Sequence, residues 1–399
     1  MGPQQLQDAF TNGTLVRPSD QQPSLVHLVR AIATLAGVPD LDPGAGPTNQ
    51  LAKLIGPSDH LVFVLLDGLG MNLIERLPTG SFLASHLRRE IHATCPSTTA
   101  CALTTVTTAQ YPNRHGVTGW FTHLPEFDLT AMILPFAERF SNQPLARRDI
   151  APEDVLPLPP IAPRMTHRPL SLTPAYITNT VYNTYARGGT RGVGYRTLSD
   201  AIDQTIAHVS GATVPTYTHL YLHDIDTLCH HVGIGHDSVL PLILGIDAEL
   251  DRLAKAVGTR ARIVVSADHG LIDVPKPDQS LLLVGDPMLD LLMVPPSGDA
   301  RMPIFHLRPG QRDAFTVLFG ERFGDGMILL ETSDAERLQL FGPGPMSDVA
   351  RRRFGDFIAF PPRAATLSYH PPHKPLGELY LAVHGGLSPE EMRVPLCIA

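Results

Sequence analysis

The strongest constraint on the fold is a set of apolar runs, each of which ends in polar residues. HLVFVLLDG (60–68) and ARIVVSADHG (261–270) are apolar at nearly every position before their acids. Such runs are typical of strands buried on both faces of a parallel sheet. THLYLHDID (218–226) and ELYLAVHGG (378–386) show the same pattern of a strand that ends in polar residues. Because helical patterns such as SVLPLILGIDAELDRLAKAVG (238–258) separate these strands, the sequence predicts an α/β sandwich with a parallel sheet.

Two stretches depart from this alternation. Residues 275–375 combine short strand patterns, such as MPIFHL and DFIAFPP, with the helical pattern GQRDAFTVLFGERFG. We therefore predict a metal-binding α/β core formed by residues 1–274 and 376–399, with a smaller α+β cap inserted at residues 275–375. Residues 150–173 are rich in proline, which predicts an extended surface loop.

Composition excludes several classes of function. The chain has 399 residues and a net charge of −8, and no cluster of lysine and arginine provides a track for nucleic acid. It contains neither a signal-peptide pattern nor an apolar run long enough to cross a membrane. The four cysteines form no CxxC pair, so we expect reduced thiols and a cytoplasmic protein. The oligomeric state stays open.

The polar ends of the apolar runs form the candidate site. Ligands of open α/β sheets bind outside the carboxyl ends of the strands, so residues distant in sequence are expected to converge there. These residues are Asp67, Asp226, Asp268, His269 and His384.

Each piece also has a simpler explanation. Asp226 and His230 are four residues apart and share one face of a helical turn, but an N-cap followed by an exposed histidine fits equally well. Asp224 and His231 are alternative ligands in the same segment. LLDGLG, ADHG and AVHGG, each taken alone, are most often turns.

Taken together, the pieces supply three aspartates and three histidines. With a bridging oxygen, this set is a sensible one for two borderline divalent cations. Paired cations clamp the entering and leaving oxygens of a displacement reaction. The predicted ligands are Asp67, Asp226, His230, Asp268, His269 and His384.

CPSTTACALT (95–104) supplies a candidate nucleophile. The segment predicts a turn followed by a helix, and the backbone N–H groups at a helix N-terminus favour an anion such as phosphate. A Thr99 hydroxyl bound to a metal would be a far better nucleophile than a free threonine. In the alternative interpretation, Ser97, Thr98 or Thr99 caps the helix.

The ordered series VFVLLDGLG, PSTTACALTTVTTAQYPNRHGVTGW, DIDTLCHHVG, VVSADHGLID and HGGLSPEEMRVPL resembles the alkaline phosphatase superfamily. Within it, the chain most resembles the type I phosphodiesterase/nucleotide pyrophosphatase family. The resemblance implies an alkaline-phosphatase-like three-layer α/β/α sandwich with a mostly parallel central sheet and, usually, two zinc ions.

The resemblance also assigns roles to residues. Thr99 matches the nucleophile, and Asp67, Asp268 and His269 match ligands of the metal that activates it. Ligands of the second metal correspond to Asp226, His230 and His384. YPNRHG matches a segment that follows the nucleophile helix, where we expect His115 to be structural rather than catalytic. Trp120 replaces an asparagine that contacts a phosphoryl oxygen in nucleotide pyrophosphatases.

The resemblance implies hydrolysis of a small-molecule phosphate ester or nucleotide, most simply by a phosphodiesterase or nucleotide pyrophosphatase through a covalent phosphothreonine. The same two-metal site also suits a phosphomonoesterase or a phosphonoacetate-type phosphonate hydrolase. Sulfate esters fit least well, because the nucleophile position holds neither cysteine nor serine. The non-enzymatic alternative is a metalloprotein that only binds an anionic partner.

Overall fold

The computed structural model describes residues 2–39, 41, 46–372 and 379–399. The strands of these residues are β1 (His60–Leu66), β2 (Leu87–His92), β3 (Phe121–Leu124), β4 (Leu129–Met132), β5 (Ala137–Glu138), β6 (Arg168–Pro174), β7 (Arg191–Tyr195), β8 (Thr216–Leu222), β9 (Ala261–Ser266), β10 (Ile272–Asp273), β11 (Gln279–Leu282), β12 (Ser297–Asp299), β13 (Met302–Phe305), β14 (Ile328–Glu331), β15 (Phe357–Phe360), β16 (Thr366–Tyr369), β17 (Ala382–Val383) and β18 (Arg393–Ile398).

The α-helices of the same residues are α1 (Gly2–Thr11), α2 (Leu25–Leu35), α3 (Pro47–Ile55), α4 (Met71–Ile74), α5 (Phe82–His86), α6 (Thr99–Thr108), α7 (Pro112–His115), α8 (Pro152–Val155), α9 (Val181–Ala186), α10 (Leu198–Ser210), α11 (Asp224–Val232), α12 (Val239–Val257), α13 (Pro287–Asp290), α14 (Arg312–Phe323), α15 (Thr332–Arg337), α16 (Asp348–Arg353) and α17 (Pro389–Met392).

The central sheet has seven strands in the order β2-β18-β9-β1-β8-β6-β7. β1 pairs in parallel with β8 and with β9, whereas β18 runs antiparallel to its neighbours β9 and β2. β1 is buried from Leu61 to Leu66, as its continuous apolar run predicts for a strand covered on both faces. The mostly parallel α/β sandwich predicted from the sequence is confirmed.

The covering helices form two packed groups. α2 packs against α3 and α6, while α12 packs against α5, α10 and α11. Their apolar faces and the central sheet form one continuous core, and burial of this apolar surface is the main favourable contribution to folding. This scaffold places the N-terminus of α6 beside the ends of the central strands.

A second, antiparallel sheet lies outside the core sheet, with the order β14-β15-β13-β12-β3-β4-β5. Four of its strands come from the predicted insert, but β3, β4 and β5 come from residues 121–138. β12 joins the two parts where Gly298 pairs with Phe121. The division at 275 and 375 stays a prediction, and its second boundary lies outside the described residues.

The proline-rich segment is not entirely a surface loop. Its last residues form β6, which pairs with β7 and β8 inside the central sheet. Leu170 and Leu172 are buried, whereas Pro169 and Pro174 lie near the two ends of the strand. The strand therefore keeps a hydrogen-bonding backbone through its middle, where proline would remove a donor.

The strand predicted at 378–386 is also shorter than expected and lies elsewhere. Glu378 falls outside the described residues, and only Ala382–Val383 forms a strand, β17, which pairs with β10. Gly385 has a φ of 112°, a conformation that ends an extended strand and suits glycine. The strand that enters the central sheet is β18.

Two ion pairs tie the second sheet and its neighbours to the core. Arg301 and Glu391 are both fully buried, with Nη2 and Oε2 2.7 Å apart. Buried Arg353 pairs with Glu126 and donates to the carbonyl of Val155 at 2.7 Å. Because buried charges are costly unless they are paired and hydrogen-bonded, these contacts define where the parts of the chain meet.

Over the described part of the chain, no helix has both the length and the apolar character that a membrane span needs.

Candidate metal centre and nucleophile

The predicted site residues follow the carboxyl ends of neighbouring strands. Asp67 comes directly after β1, and Asp268 and His269 follow β9. Asp226 lies in the first turn of α11, which follows β8. Since β1, β8 and β9 are parallel neighbours, their ends meet at one edge of the sheet.

The first group of side chains lies around His269. Its Nε2 is 3.5 Å from Asp67 Oδ1 and 3.4 Å from Asp268 Oδ2. The Oγ1 of Thr99, the first residue of α6, is 3.1 Å from the same Nε2. The structure thus brings Thr99 together with the three ligands that the resemblance assigns to the first metal.

The second group lies around Asp226. Its Oδ2 is 3.2 Å from His230 Nε2, and its Oδ1 is 3.8 Å from His384 Nε2. Ligand atoms of Asp226, His269 and His384 all lie within 4.8 Å of one another, as do those of Asp67, Asp268 and His269. The rings of His269 and His384 stack with centroids 3.8 Å apart, so the two groups are adjacent.

The carboxylate oxygens that face this centre fit divalent cations. Asp67 Oδ1, Asp226 Oδ1 and Asp268 Oδ2 are buried and have no hydrogen-bond partner. A buried polar atom without a partner is costly, and a cation bound between these oxygens would remove that cost. Three aspartates and three histidines form a donor set suited to zinc or a similar ion.

The backbone orients all three histidines in the same way. His230 Nδ1 lies 2.7 Å from the carbonyl of Ala382, and His269 Nδ1 lies 3.0 Å from that of Gly270. His384 Nδ1 lies 3.2 Å from the carbonyl of Ser97. A carbonyl only accepts, so each Nδ1 donates and each Nε2 is left with a lone pair, the tautomer that binds a metal.

Electrostatics distinguish the three aspartates. Burial and the neighbouring charges of Asp268 and Asp226 raise the pKa of Asp67 well above its usual range. Burial also raises the pKa of Asp268. Burial opposes ionisation of Asp226 as well, but the hydrogen bond and charge of His230 lower its pKa overall. Without cations, burial and the repulsion between neighbouring carboxylates therefore favour the protonated forms of Asp67 and Asp268.

The remaining candidates lie outside this centre. Asp224 and His231 are exposed, so α11 directs Asp226 and His230 inward instead. His115 is buried, where its Nδ1 accepts from the Val117 N–H at 3.1 Å. Burial lowers its pKa to about 3, which suits the structural role predicted for it.

Three side chains beside this centre were not predicted to contribute to it, and Ser97 was considered only as a helix cap. Tyr221 donates its hydroxyl to Asp67 Oδ2. The Ser97 hydroxyl donates to the Gly386 carbonyl at 2.7 Å and accepts from the Gly385 N–H at 3.2 Å. The third is Asp299, which accepts from the Trp120 N–H, and burial raises its pKa to about 7.

Only Tyr221 had a recognisable signal, because it alternates with Tyr217 and His219 along one face of β8. Asp299 belongs to the second sheet, and nothing in its sequence surroundings indicates a contact with the segment that follows α6.

Comparison with known proteins identifies the family of the chain. The sequence profile described as type I phosphodiesterase / nucleotide pyrophosphatase matches residues 61–132 and 150–323, which is more than half of the chain. The chain belongs to this family. The family is one of metal-dependent phosphoester hydrolases within the alkaline phosphatase superfamily. A search among curated proteins found no match.

Solved structures share the fold. Murine ectonucleotide pyrophosphatase/phosphodiesterase 5 is 15% identical, with a TM-score of 0.62 over 84% of this chain and 87% of that one. The murine protein has also been solved as an inactive variant in complex with AMP. Phosphonoacetate hydrolase from Sinorhizobium meliloti 1021, in complex with phosphonoformate, is 17% identical, with a TM-score of 0.61 over 84% and 89%.

Proposed function

We propose that the protein is a metal-dependent phosphodiesterase of the nucleotide pyrophosphatase type that forms a covalent phosphothreonine on Thr99. The observation that carries this proposal is the position of the Thr99 hydroxyl. It lies at the N-terminus of α6 and 3.1 Å from His269 Nε2, which also faces Asp67 and Asp268. A threonine placed only to cap a helix would not need three potential metal ligands around it.

We further propose that two divalent ions, most simply zinc and alternatively manganese, bind this centre. When bound, such ions supply positive charge that lowers the pKa of a nearby hydroxyl and neutralises the phosphoryl oxygens. One set of ligands would be Asp67, Thr99, Asp268 and His269, and the other Asp226, His230 and His384. The unpartnered oxygens of the three aspartates support this assignment.

The chemistry consists of two displacements at phosphorus. Thr99 Oγ1 loses its proton and forms a bond to phosphorus, while the bond to the leaving oxygen breaks and that oxygen takes up a proton. Water then attacks phosphorus from the vacated side and loses a proton, while the bond to Oγ1 breaks and Oγ1 takes up a proton, which regenerates the threonine. The backbone N–H groups of the first turn of α6 favour the anionic phosphoryl group throughout.

We also propose a cytoplasmic enzyme that acts on small phosphate esters rather than on nucleic acid. Its four cysteines are buried and free, in keeping with reduced thiols.

The Thr99→Ala variant tests the nucleophile. We expect the turnover of aryl phosphodiesters to fall by at least about 1,000-fold, because the covalent route is lost. Zinc content should stay close to that of wild type, since the imidazole and carboxylate ligands remain. Thr108→Ala, at the other end of the same helix, is the matched control and should keep its activity. Wild-type turnover in metal-loaded Thr99→Ala would refute the assignment.

Removal of metal tests the proposal that two divalent ions bind the centre. Exhaustive chelation should abolish turnover, and zinc or manganese should restore it. An enzyme that is indifferent to chelation would contradict the two-ion proposal.

A phosphonate hydrolase or phosphomonoesterase is the second candidate function. It is favoured by the structural likeness to phosphonoacetate hydrolase and by Trp120 in place of the family's asparagine. Comparison of aryl diesters, aryl monoesters and phosphonoacetate as substrates of the same preparation distinguishes the candidates.

A further inference from the structure

A large cavity opens directly from the candidate metal centre. Its volume is about 550 Å³, and Asp67, Thr99 and Asp226 form part of its wall. Ligand sites for small molecules fall in the same range of size. We call it the long cavity, and its other walls are formed by β6, β8, α6, α9 and residues 161–165.

The floor of the long cavity is one face of the central sheet. Tyr217, His219 and Tyr221 alternate along β8 and all line it. On the adjacent strand, Pro169 and Ser171 pair with Tyr217 and His219 and line it too. Tyr217 is four residue steps along β8 from Tyr221, which lies beside Asp67, so the floor runs about 13 Å away from the metal centre.

The opposite wall is mostly apolar. α6 contributes Leu103 and Val106, one and two turns beyond Thr99, and α9 contributes Tyr182 and Ala186, with Thr107 and Asn183 as polar side chains of the same two helices. The nucleophile and part of this wall therefore belong to the same helix. Any group attached to a phosphorus atom beside Thr99 can extend directly along this wall.

Cationic groups are nearly absent from the long cavity. Among its described lining residues, Arg187 is the only lysine or arginine, and its guanidinium donates to the Thr178 carbonyl at 2.5 Å. A polyphosphate chain would need more positive charge along its length. Burial lowers the pKa of His219 to about 4, so this part of the floor is uncharged at neutral pH.

We propose that the long cavity binds a long apolar substituent of the substrate, so that the enzyme acts on phosphate esters of the lipid or long-chain alcohol class. This inference rests on the proposed function for the reaction, but binding in the cavity can be tested without it. The phosphoryl group lies at Thr99, and the hydrocarbon chain lies between the sheet face and α6.

A chain-length series tests the inference through activity. The substrates are p-nitrophenyl n-alkyl phosphodiesters from methyl to dodecyl, used below their critical micelle concentrations, with p-nitrophenyl thymidine 5′-phosphate as the nucleoside comparison. Each buried methylene contributes ~0.8 kcal/mol, which is about fourfold in kcat/KM. We expect a rise of about two- to fourfold per methylene until the cavity is filled. A flat series, or a clear preference for the thymidine ester, would overturn the inference while leaving the phosphodiesterase proposal intact.

Bulky substitutions test whether the preference for long alkyl chains arises in the long cavity. Ser171→Phe on the floor and Ala186→Phe on the opposite wall should each reduce the ratio of kcat/KM between octyl and methyl esters by at least about tenfold. The ratio is taken within each protein, so a general loss of activity or folding cancels. Thr316→Phe on exposed α14 is the control, and its ratio should equal that of wild type. Unchanged ratios in both cavity variants would refute the assignment.

A binding measurement separates the two proposals. Trp120 is the single tryptophan of the sequence and lines the long cavity, so intrinsic fluorescence reports on the cavity. Non-hydrolysable n-alkylphosphonates should bind more tightly as their chains lengthen, in wild type but not in Ser171→Phe. This result without any ester hydrolysis would refute the proposed reaction and support the cavity. Ester hydrolysis combined with phosphonate affinities that do not depend on chain length would support the proposed reaction and refute the role of the cavity.

Discussion

At the scale of single residues, the candidate centre depends on groups that are oriented before any metal binds. His230, His269 and His384 each donate through Nδ1 to a backbone carbonyl. Tyr221 holds one oxygen of Asp67, and the other oxygen is unpartnered. Contacts of this kind, one step removed from a metal, fix the rotamer and protonation state of its ligands.

Tyr221 tests this arrangement. In Tyr221→Phe, Asp67 loses its hydroxyl donor, so we expect zinc affinity to fall by about 10- to 100-fold. Competition with a chromophoric chelator measures this affinity. Tyr185→Phe is the matched control, because the Tyr185 hydroxyl donates to the carbonyls of Leu156 and Leu158 instead of to a carboxylate. Equal zinc affinity in Tyr221→Phe and Tyr185→Phe would show that the tyrosine does not position Asp67.

At the scale of elements, one buried ion pair links β12–β13 to α17 and the loop that carries His384. Arg301 donates to both oxygens of Glu391, and the Gly386 N–H donates to Glu391 Oε1 at 2.8 Å. Burial opposes ionisation of Glu391, but the charge and hydrogen bonds of Arg301 lower its pKa overall. The second sheet thus contacts the core close to a predicted metal ligand.

We expect Glu391→Gln to lower the free energy of unfolding by about 3–5 kcal/mol, because it leaves Arg301 buried without its counter-ion. Chemical denaturation measures this change. Asp251→Asn, which removes the exposed pair with Lys255, is the control and should change little. A similarly small loss in Glu391→Gln would show that the pair does not support the junction.

The same pair predicts a pH dependence. The folded-state pKa of Glu391 is lowered, so its contribution to stability is present above the unfolded value of ~4.3 and is lost as the pH falls. The difference in free energy of unfolding between wild type and Glu391→Gln should therefore shrink as the pH falls. A difference in stability that does not change with pH would contradict this assignment.

The elements also show what sequence alone can and cannot predict. Asp67, Asp268 and His269 were predicted because continuous apolar runs mark buried parallel strands and their ends meet at one edge. β6 was missed because its prolines resemble a loop, although they lie near the strand ends. Asp299 could not be predicted, because its contact with Trp120 depends on pairing between β12 and β3. The long cavity depends on how far the covering helices lie from the sheet, which no local pattern records.

At the scale of the whole molecule, we expect the candidate centre to couple the stability of the fold to metal and pH. The raised pKa values of Asp67 and Asp268 mean that, without metal, these groups contribute stability below their unfolded values of ~3.9. That contribution is lost as the pH rises through their folded-state values. Divalent cations would replace the bound protons and reverse the loss.

Zinc should therefore raise the melting temperature of chelated protein more at about pH 8 than at about pH 5. At a free zinc concentration 100 times its Kd, the gain corresponds to ~2.7 kcal/mol. Scanning calorimetry across this pH range measures the effect, and Asp268→Asn, which removes one titrating ligand, should show less pH dependence. A zinc effect of equal size at both pH values would contradict the coupling.

The position of β18 affects how the molecule is made. This strand, from residues 393–398, lies between β2 and β9 in the central sheet, and His384 precedes it by only a few residues. β18 follows the other six strands of this sheet in chain order, so during synthesis the gap between β2 and β9 stays open until residues 393–398 have been made. The nascent protein therefore folds around an incomplete sheet, and the candidate metal centre cannot be complete before its last strand is in place.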